Sequence, residues 1–187
     1  MLLEALQRRQ LFLLLHIIDV REAAAAQARG CAWCGGRLHQ ASFPRKPRGG
    51  PNDLPEDYAR RLGLCCDRDG CRRRVLPPSV LFWDRRVYWG VVLVVITALR
   101  QQRPEGFAVG QLEKRLKVPR QTLARWMRYF REVFPQSRRW QRLRGRVHPG
   151  IGAEELPSVL LERFLSVVDP VEQALERCLC FLRLDAG

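Results

Sequence analysis

Four of the seven cysteines in this 187-residue chain have the spacing of a metal site. Cys31 and Cys34 form a CxxC motif followed by two glycines, and two thiolates at this spacing bind one ion when the chain turns tightly. Cys66 and Cys71 form a CxxxxC motif with a glycine beside the second cysteine. Four thiolates complete the closed tetrahedral site that structural zinc prefers. We therefore predict a structural Zn²⁺ bound by Cys31, Cys34, Cys66 and Cys71.

The third ligand of this site has an alternative in the adjacent Cys65. If residues 62–66 form a strand, alternate side chains share a face, so that Cys66 points away from Cys65. This alternation favours Cys66 without excluding Cys65. His39 is a weaker alternative ligand, because a single histidine near such a turn more often lies on the surface or makes a hydrogen bond.

A second group of residues, between positions 109 and 134, has the pattern of a helix-turn-helix. The apolar residues that would line its two helices and the turn are Leu112, Leu116, Val118, Leu123, Trp126, Met127 and Phe130. The opposite face of the second helix is polar and basic. In a helix-turn-helix the N-terminal part of the second helix reaches the base edges of DNA, where Arg pairs with guanine and Gln pairs with adenine. We predict base contacts by Arg120, Gln121 and Arg125, and phosphate contacts by Arg128 and Arg131.

Arginines also surround the predicted metal site. Four thiolates around one Zn²⁺ leave a net negative charge, which nearby cations neutralise while also offering phosphate contacts. The arginines in question are Arg37, Arg68, Arg72, Arg73 and Arg74. We assign the run Arg72, Arg73 and Arg74 to the predicted DNA-binding set.

The charge of the chain is concentrated in its middle. The sequence has 33 Lys+Arg and 19 Asp+Glu, a formal net charge of +14. Residues 60–146 hold 22 basic and 6 acidic residues, a net charge of +16, whereas residues 1–59 carry +2 and residues 147–187 carry −4. A solvated surface without a polyanionic partner usually mixes both signs of charge, so this distribution favours a nucleic acid as partner.

Composition excludes general disorder and a membrane-spanning segment. Hydrophobic residues make up 47% of the chain, enough for a packed core. The longest apolar run, residues 87–99, is shorter than the ~20 residues that cross a bilayer and predicts a buried helix. No clear cleavage site follows the apolar N-terminal patch, so we expect no signal peptide. We therefore expect a cytoplasmic, nucleoid-associated protein whose cysteines are mostly reduced.

The elements that would position these residues are mainly helices. Helices are predicted over residues 2–28, 85–102, 109–116, 120–134, 140–143, 156–168 and 171–184. The expected fold is mainly α, with a small four-cysteine zinc ribbon inserted between helices, followed by the helix-turn-helix and a closing C-terminal helical pair. The predicted units are an N-terminal helix (1–30), a zinc-ribbon module (31–84), a DNA-binding domain (85–146) and a C-terminal packing or interaction region (147–187).

The C-terminal region carries an apolar stripe and two further cysteines. The stripe favours packing against the chain's own N-terminal helix, and a dimer or partner surface is the alternative. Cys178 and Cys180 are two residues apart on a predicted helix and do not easily face one ion, so we interpret them as core or surface thiols.

The order of these motifs resembles a known group of proteins. Four features in order carry this resemblance: a zinc ribbon, an arginine run with Pro77-Pro78-Ser79-Val80, an aromatic-rich helix, and Val118-Pro-Arg-Gln-Thr-Leu-Ala-Arg-Trp126. Together they resemble small bacterial zinc-ribbon/helix-turn-helix proteins of mobile elements. They are also similar to the DNA-recognition front ends of insertion-sequence transposases. The resemblance covers about residues 31–134 and implies DNA binding at element ends or a target site. This chain departs from it at Pro119, where many relatives have Ser or Thr capping the second helix.

No catalytic centre is expected. The acidic residues after position 134 fall on amphipathic helical faces, and that segment is too short for a metal-dependent nuclease fold. The three histidines, His16, His39 and His148, are scattered along the chain and form no catalytic pattern. The predicted function is therefore that of a non-enzymatic accessory or targeting factor in transposition or recombination of a bacterial mobile element. A sequence-specific transcription regulator and a minimal transposase are the alternatives. The expected partners are double-stranded DNA, a recombinase or transposase, and a second copy of the chain in a homodimer.

Overall fold

The computed structural model describes residues 1–102, 117–146 and 151–184, which are mainly helical as predicted. Their α-helices are α1 (Leu2–Ala5), α2 (Arg9–Arg29), α3 (Gly90–Gln102), α4 (Arg120–Arg128), α5 (Arg138–Leu143), α6 (Ser158–Val167) and α7 (Val171–Arg183). The strands are β1 (Leu38–Gln40), β2 (Phe43–Pro44), β3 (Arg60–Arg61), β4 (Leu64–Cys66) and β5 (Arg74–Val75). None of the helices in these residues is both long and apolar enough to cross a bilayer.

Helix α3 is the centre of the main core. Every residue from Gly90 to Ala98 is buried, because the run is apolar on all sides and other helices surround it. Its neighbours are α4, α6 and α7. The buried Thr97 satisfies its hydroxyl by donating to the Leu93 carbonyl at 2.7 Å.

The start of α3 differs from the predicted start at residue 85. Residues just before it make tertiary backbone pairs instead: Arg48 bridges Tyr88, and Phe82 bridges Trp89. Gly90 donates its N–H to the Leu81 carbonyl at 2.7 Å, and a Cβ on Gly90 would lie 2.9 Å from the Val80 carbonyl oxygen. A turn at residues 84–85 and these bridges at Tyr88 and Trp89 replace the first part of the predicted helix, so α3 begins five residues later than predicted.

The two ends of the chain pack against each other. Helix α7 contacts α1, α2 and α6, and the apolar stripe of the C-terminal pair is buried there, which agrees with the favoured interpretation of that stripe. Arg8 and Glu172 form an ion pair across this contact at 2.5 Å. The predicted N-terminal helix is interrupted at residues 6–8, where the chain turns before α2 begins.

Helix α4 begins at Arg120, where the second helix of the predicted helix-turn-helix should begin. Pro119 is its N-cap with extended backbone, and no side chain caps the helix. A π-helical turn (Tyr129–Val133) and a 3-10 turn (Phe134–Gln136) continue it past the predicted end. The predicted first helix, residues 109–116, lies outside the described residues.

The strands form a small module that carries the four cysteines. Strands β1, β4 and β5 form an antiparallel sheet in that order, and β2 pairs with β3. The module has its own buried cluster, which consists of Ala26, Cys31, Leu38, Leu64 and Cys66. We call residues 31–75 the cysteine module. With so few apolar side chains, it depends on a further source of stability.

Candidate metal centre and nucleic-acid interface

Strand β4 decides which of the adjacent cysteines faces the cluster. Leu64 and Cys66 are buried, and Cys65 between them is partly exposed. Cys65 lies opposite Arg74 in the sheet, and its thiol contacts the Arg72 carbonyl oxygen at 3.5 Å. Cys66 therefore joins the other three cysteines, as the alternation of a strand predicts.

Two tight turns present the cysteine pairs. In the first turn Gly35 adopts a φ of +68° and donates its N–H to the Cys31 carbonyl at 2.8 Å. In the second turn Gly70 adopts a φ of +82°, and Cys71 donates its N–H to the Arg68 carbonyl at 3.1 Å. Residues with side chains rarely adopt such φ values, so both glycines have a clear backbone role.

The four thiols lie close enough together to hold one metal ion. The Sγ atoms of Cys31, Cys34, Cys66 and Cys71 are all within 4.8 Å of one another. Two of these separations are 3.4 Å, between Cys34 and Cys66, and 3.8 Å, between Cys31 and Cys71. For comparison, a tetrahedral zinc with Zn–S bonds of about 2.3 Å has Sγ atoms about 3.8 Å apart.

The space around the thiols fits a bound ion as well. A Cβ on Gly36 would lie 2.8 Å from the Cys66 Sγ and 3.3 Å from the Cys34 Sγ, so a side chain at this position would crowd the site. All four cysteines are unpaired thiols in the structure. The donor set is compatible with structural zinc, which favours four thiolates.

The pKa values of Cys31 and Cys66 are shifted in opposite directions. The backbone N–H groups of Trp33 and Cys34 lower the pKa of Cys31 to about 7. The backbone N–H of Arg68 acts on Cys66 in the same direction, but burial and the neighbouring thiols outweigh it and raise the pKa of Cys66 to about 12. One thiol thus loses its proton readily, whereas a set of four thiolates requires a cation among them.

Several of the predicted arginines have defined partners in the cysteine module. Arg68 donates to the Cys34 carbonyl at 2.5 Å, and Arg72 forms an exposed ion pair with Asp69 at 2.7 Å. The Arg73 guanidinium stacks on the ring of Trp33 at 4.2 Å, and Trp33 is 70% exposed. Arg72, Arg73 and Arg74 are all exposed, so they remain accessible to an anion.

Neither His16 nor His39 is part of the four-cysteine cluster. His39 Nε2 lies 3.3 Å from the Asp67 carboxylate on the surface. His16 stacks on Tyr58 with ring centroids 4.5 Å apart, and burial lowers its pKa. His148 lies outside the described residues.

Helix α4 has one buried and one exposed face. Leu123, Trp126 and Phe130 are buried against the core. Tyr88 packs edge-on against Trp126 at 5.0 Å, and Trp83 packs against Phe130 at 5.5 Å. All five residues predicted to contact DNA are exposed: Arg120, Gln121, Arg125 and Arg128 on α4, and Arg131 on the π-helical turn that continues it. Aromatic packing therefore fixes which face of α4 is presented to solvent.

The exposed side chains of α4 differ in their freedom. Arg125 folds back along the helix, donating to the Gln121 carbonyl at 3.3 Å and to the Thr122 hydroxyl at 3.2 Å. Arg131 pairs with Glu132 at 3.0 Å. Gln121 and Arg128 have no side-chain partner among the described residues, which makes them the best positions for testing a contact.

Sequence reasoning missed a buried polar contact that joins α2 to the chain before α3. Asp19, only 2% exposed, accepts from the Ser79 hydroxyl at 2.5 Å and from the Val80 N–H at 2.7 Å. Burial raises the pKa of Asp19 to about 6 despite these bonds and the nearby Arg61. An isolated acid in an apolar helix was the available sequence signal, but its partners lie 60 and 61 positions away.

Comparison with known proteins adds no further assignment. No protein-family model, no curated protein and no solved structure matches the chain.

Proposed function

We propose that this protein binds double-stranded DNA through α4 and that a structural zinc ion stabilises its cysteine module. The observation that carries the proposal is the exposed face of α4, which combines arginines with one glutamine and contains no acidic residue. An arginine face opposite a buried aromatic face is what a helix needs in order to lie in the major groove.

The proposed roles follow from position along α4. Gln121 is in the first turn, where a side chain reaches a base edge and pairs with the two hydrogen-bonding atoms of adenine. Arg120 and Arg125 are the further candidates for base contacts. Arg128, at the other end of α4, and Arg131, in the turn that continues it, would contact phosphates, which positions the helix without reading sequence.

The proposed metal has a structural role. Four thiolates fill the coordination sphere of zinc and leave no position for a water or a substrate. The ion would join the two turns that carry Cys31/Cys34 and Cys66/Cys71, and so hold Arg72, Arg73 and Arg74 at the surface as additional phosphate contacts. In this proposal the protein is not an enzyme.

The proposed biological role is that of an accessory or targeting factor for a recombination enzyme of a bacterial mobile element. The support for this role is the resemblance of residues 31–134 to zinc-ribbon/helix-turn-helix proteins of such elements. Binding at element ends together with a recombinase would favour this role. Binding confined to promoters would favour a transcription regulator, and Mg²⁺-dependent strand cleavage would favour a minimal transposase.

The proposal is tested by selecting bound duplexes from random DNA and measuring affinity for the selected sequence. Gln121→Ala should lose discrimination at one base pair, by roughly 1–3 kcal/mol. Arg128→Ala should weaken binding to all sequences and reduce the slope of log K against log salt by about 0.9. The matched controls are Gln173→Ala and Arg177→Ala, because both residues are exposed on α7.

Two results would contradict the proposal. One is the absence of duplex binding by the wild-type protein at low salt. The other is binding that Gln121→Ala and Arg128→Ala change no more than their α7 controls do, because α4 would then not be the DNA-binding element.

A further inference from the structure

A basic groove lies beside the N-terminal end of α4. It has a volume of about 630 Å³, and the residues that line it include 45–52 and Lys117. Lys46, Arg48 and Lys117 contribute positive charge, and Glu56 is the one acidic residue among the described residues that line it. An open groove of this charge attracts an anion.

The loop that forms the groove is held firmly on the core. Arg48 donates its N–H to the Val87 carbonyl at 2.9 Å, and its own carbonyl accepts from Trp89 N–H at 3.3 Å. Gly49 has a φ of +88°, and a Cβ on Gly50 would lie 2.6 Å from the Trp89 Nε1 atom. The backbone carrying the charged side chains is therefore positioned before any ligand arrives, which lowers the entropy cost of binding.

The charged side chains of this loop are available for a ligand. Lys46 and Arg48 are exposed, and neither makes an ion pair or a side-chain hydrogen bond within the described part of the chain. The neighbouring Arg45 is different: it donates to the Arg86 carbonyl at 2.7 Å and so serves the structure.

The groove is tied to α4 through residues 117 and 118. The Tyr88 hydroxyl donates to the Lys117 carbonyl at 2.9 Å, and Val118 is buried. Lys117 has a φ of +51° at the turn that leads into α4. The groove thus adjoins the end of α4 that would contact bases, where a duplex lying along α4 also presents its phosphate backbone.

We infer that Lys46 and Arg48 bind phosphodiester groups of the same duplex that α4 contacts. This inference rests on the proposed function and extends it to a segment of the chain outside the cysteine turns and α4. Contacts of this kind add affinity and fix the orientation of the protein without adding base specificity.

The test is the salt dependence of duplex binding by the variant Lys46→Gln/Arg48→Gln. With a 30-base-pair duplex as probe, loss of two phosphate contacts should reduce the slope of log K against log salt by about 1.8. At about 0.15 M salt the same loss corresponds to roughly 30-fold weaker binding, with unchanged base preference. Arg163→Gln/Arg177→Gln is the control, because it makes the same change in net charge at exposed residues of α6 and α7.

The outcomes separate the inference from the proposed function. If wild-type protein binds duplex DNA and Arg128→Ala weakens it, but Lys46→Gln/Arg48→Gln behaves like its control, the groove inference alone is wrong. Absence of duplex binding, or preference for duplex RNA of the same length, would overturn both. Thermal unfolding of each variant checks that its fold is intact. If the double variant is destabilised, the single variant Lys46→Gln is compared with the control Arg177→Gln, and the slope of log K against log salt should fall by about 0.9.

Discussion

Replacing one cysteine of the adjacent pair at positions 65 and 66 provides a sharp test of the metal centre. The two residues have the same chemistry and neighbouring positions, but β4 turns them to opposite faces of the sheet. Only Cys66 joins the cluster in which all Sγ atoms lie within 4.8 Å. We expect Cys66→Ser to lose tight zinc binding and Cys65→Ser to keep it.

The size of the effect follows from the number of ligands. Structural zinc sites bind with an apparent free energy of about 10–16 kcal/mol at neutral pH, so each of four equivalent thiolates contributes roughly 2.5–4 kcal/mol. Removing one should therefore weaken zinc binding by about 70- to 800-fold. The cysteine module should lose structure as well, because Leu38 and Leu64 are the only leucines in its buried cluster.

The assay combines metal content with affinity. Each purified protein is analysed for bound zinc and then titrated with a chromophoric chelator, while Co²⁺ substitution reports the number of thiolate ligands by its absorption spectrum. Wild-type protein and Cys65→Ser should hold one equivalent of metal and show a four-thiolate spectrum. Zinc affinity of Cys66→Ser within a few-fold of wild type, or an equal loss in Cys65→Ser, would refute the assignment of ligands.

Three further predictions concern the fold. Burial raises the pKa of Asp19 from an ordinary 3.8 to about 6, so the folded state holds the proton more tightly and stability falls as pH rises through this interval. Relative to Asp19→Asn, wild-type protein should lose about 2 kcal/mol of unfolding free energy between pH 4.5 and 7 in urea unfolding. Parallel pH profiles of the two proteins would contradict this prediction. Gly50→Ala would force a Cβ within 3 Å of two buried aromatic rings and should destabilise the protein by roughly 1–3 kcal/mol. The control Gly145→Ala places its Cβ in open space and should have little effect. Equal urea midpoints for the two variants would show that the loop relaxes around the new side chain. Trp126→Ala should lower the free energy of unfolding by roughly 3–5 kcal/mol in the same measurement, because Trp126 is buried. The control Trp33→Ala should have little effect, because Trp33 is exposed. A small loss of stability for Trp126→Ala would mean that α4 is loosely packed.

The sequence was sufficient where local spacing and periodicity determine structure. The CxxC and CxxxxC motifs, each with a glycine in its turn, identified the four cysteines that the structure brings together. The alternation of a strand favoured Cys66 over Cys65 for a reason that the structure shares. The apolar spacing of residues 123–130 likewise indicated which face of α4 is buried, because a helix repeats about every 3.6 residues wherever it lies.

Other features depend on residues that meet only after folding. The pattern of residues 85–102 predicts a helix, but a turn at residues 84–85 and backbone bridges of Tyr88 and Trp89 delay its start to Gly90. In the N-terminal segment, no proline or glycine marks the turn at residues 6–8, which accompanies the packing of α1 and α2 against α7.

The charged groove illustrates the same limit. In the sequence, Lys46 and Arg48 belong to a stretch rich in Pro, Gly and Arg that has no local structural pattern. Their position beside Lys117 arises because Gly49 and Gly50 fit against α3 and Trp89, contacts between residues about 40 positions apart. Spacing along the chain determined which four cysteines cluster and which face of α4 is buried, whereas tertiary packing decided where α3 begins, which acid is buried and which cations share a groove.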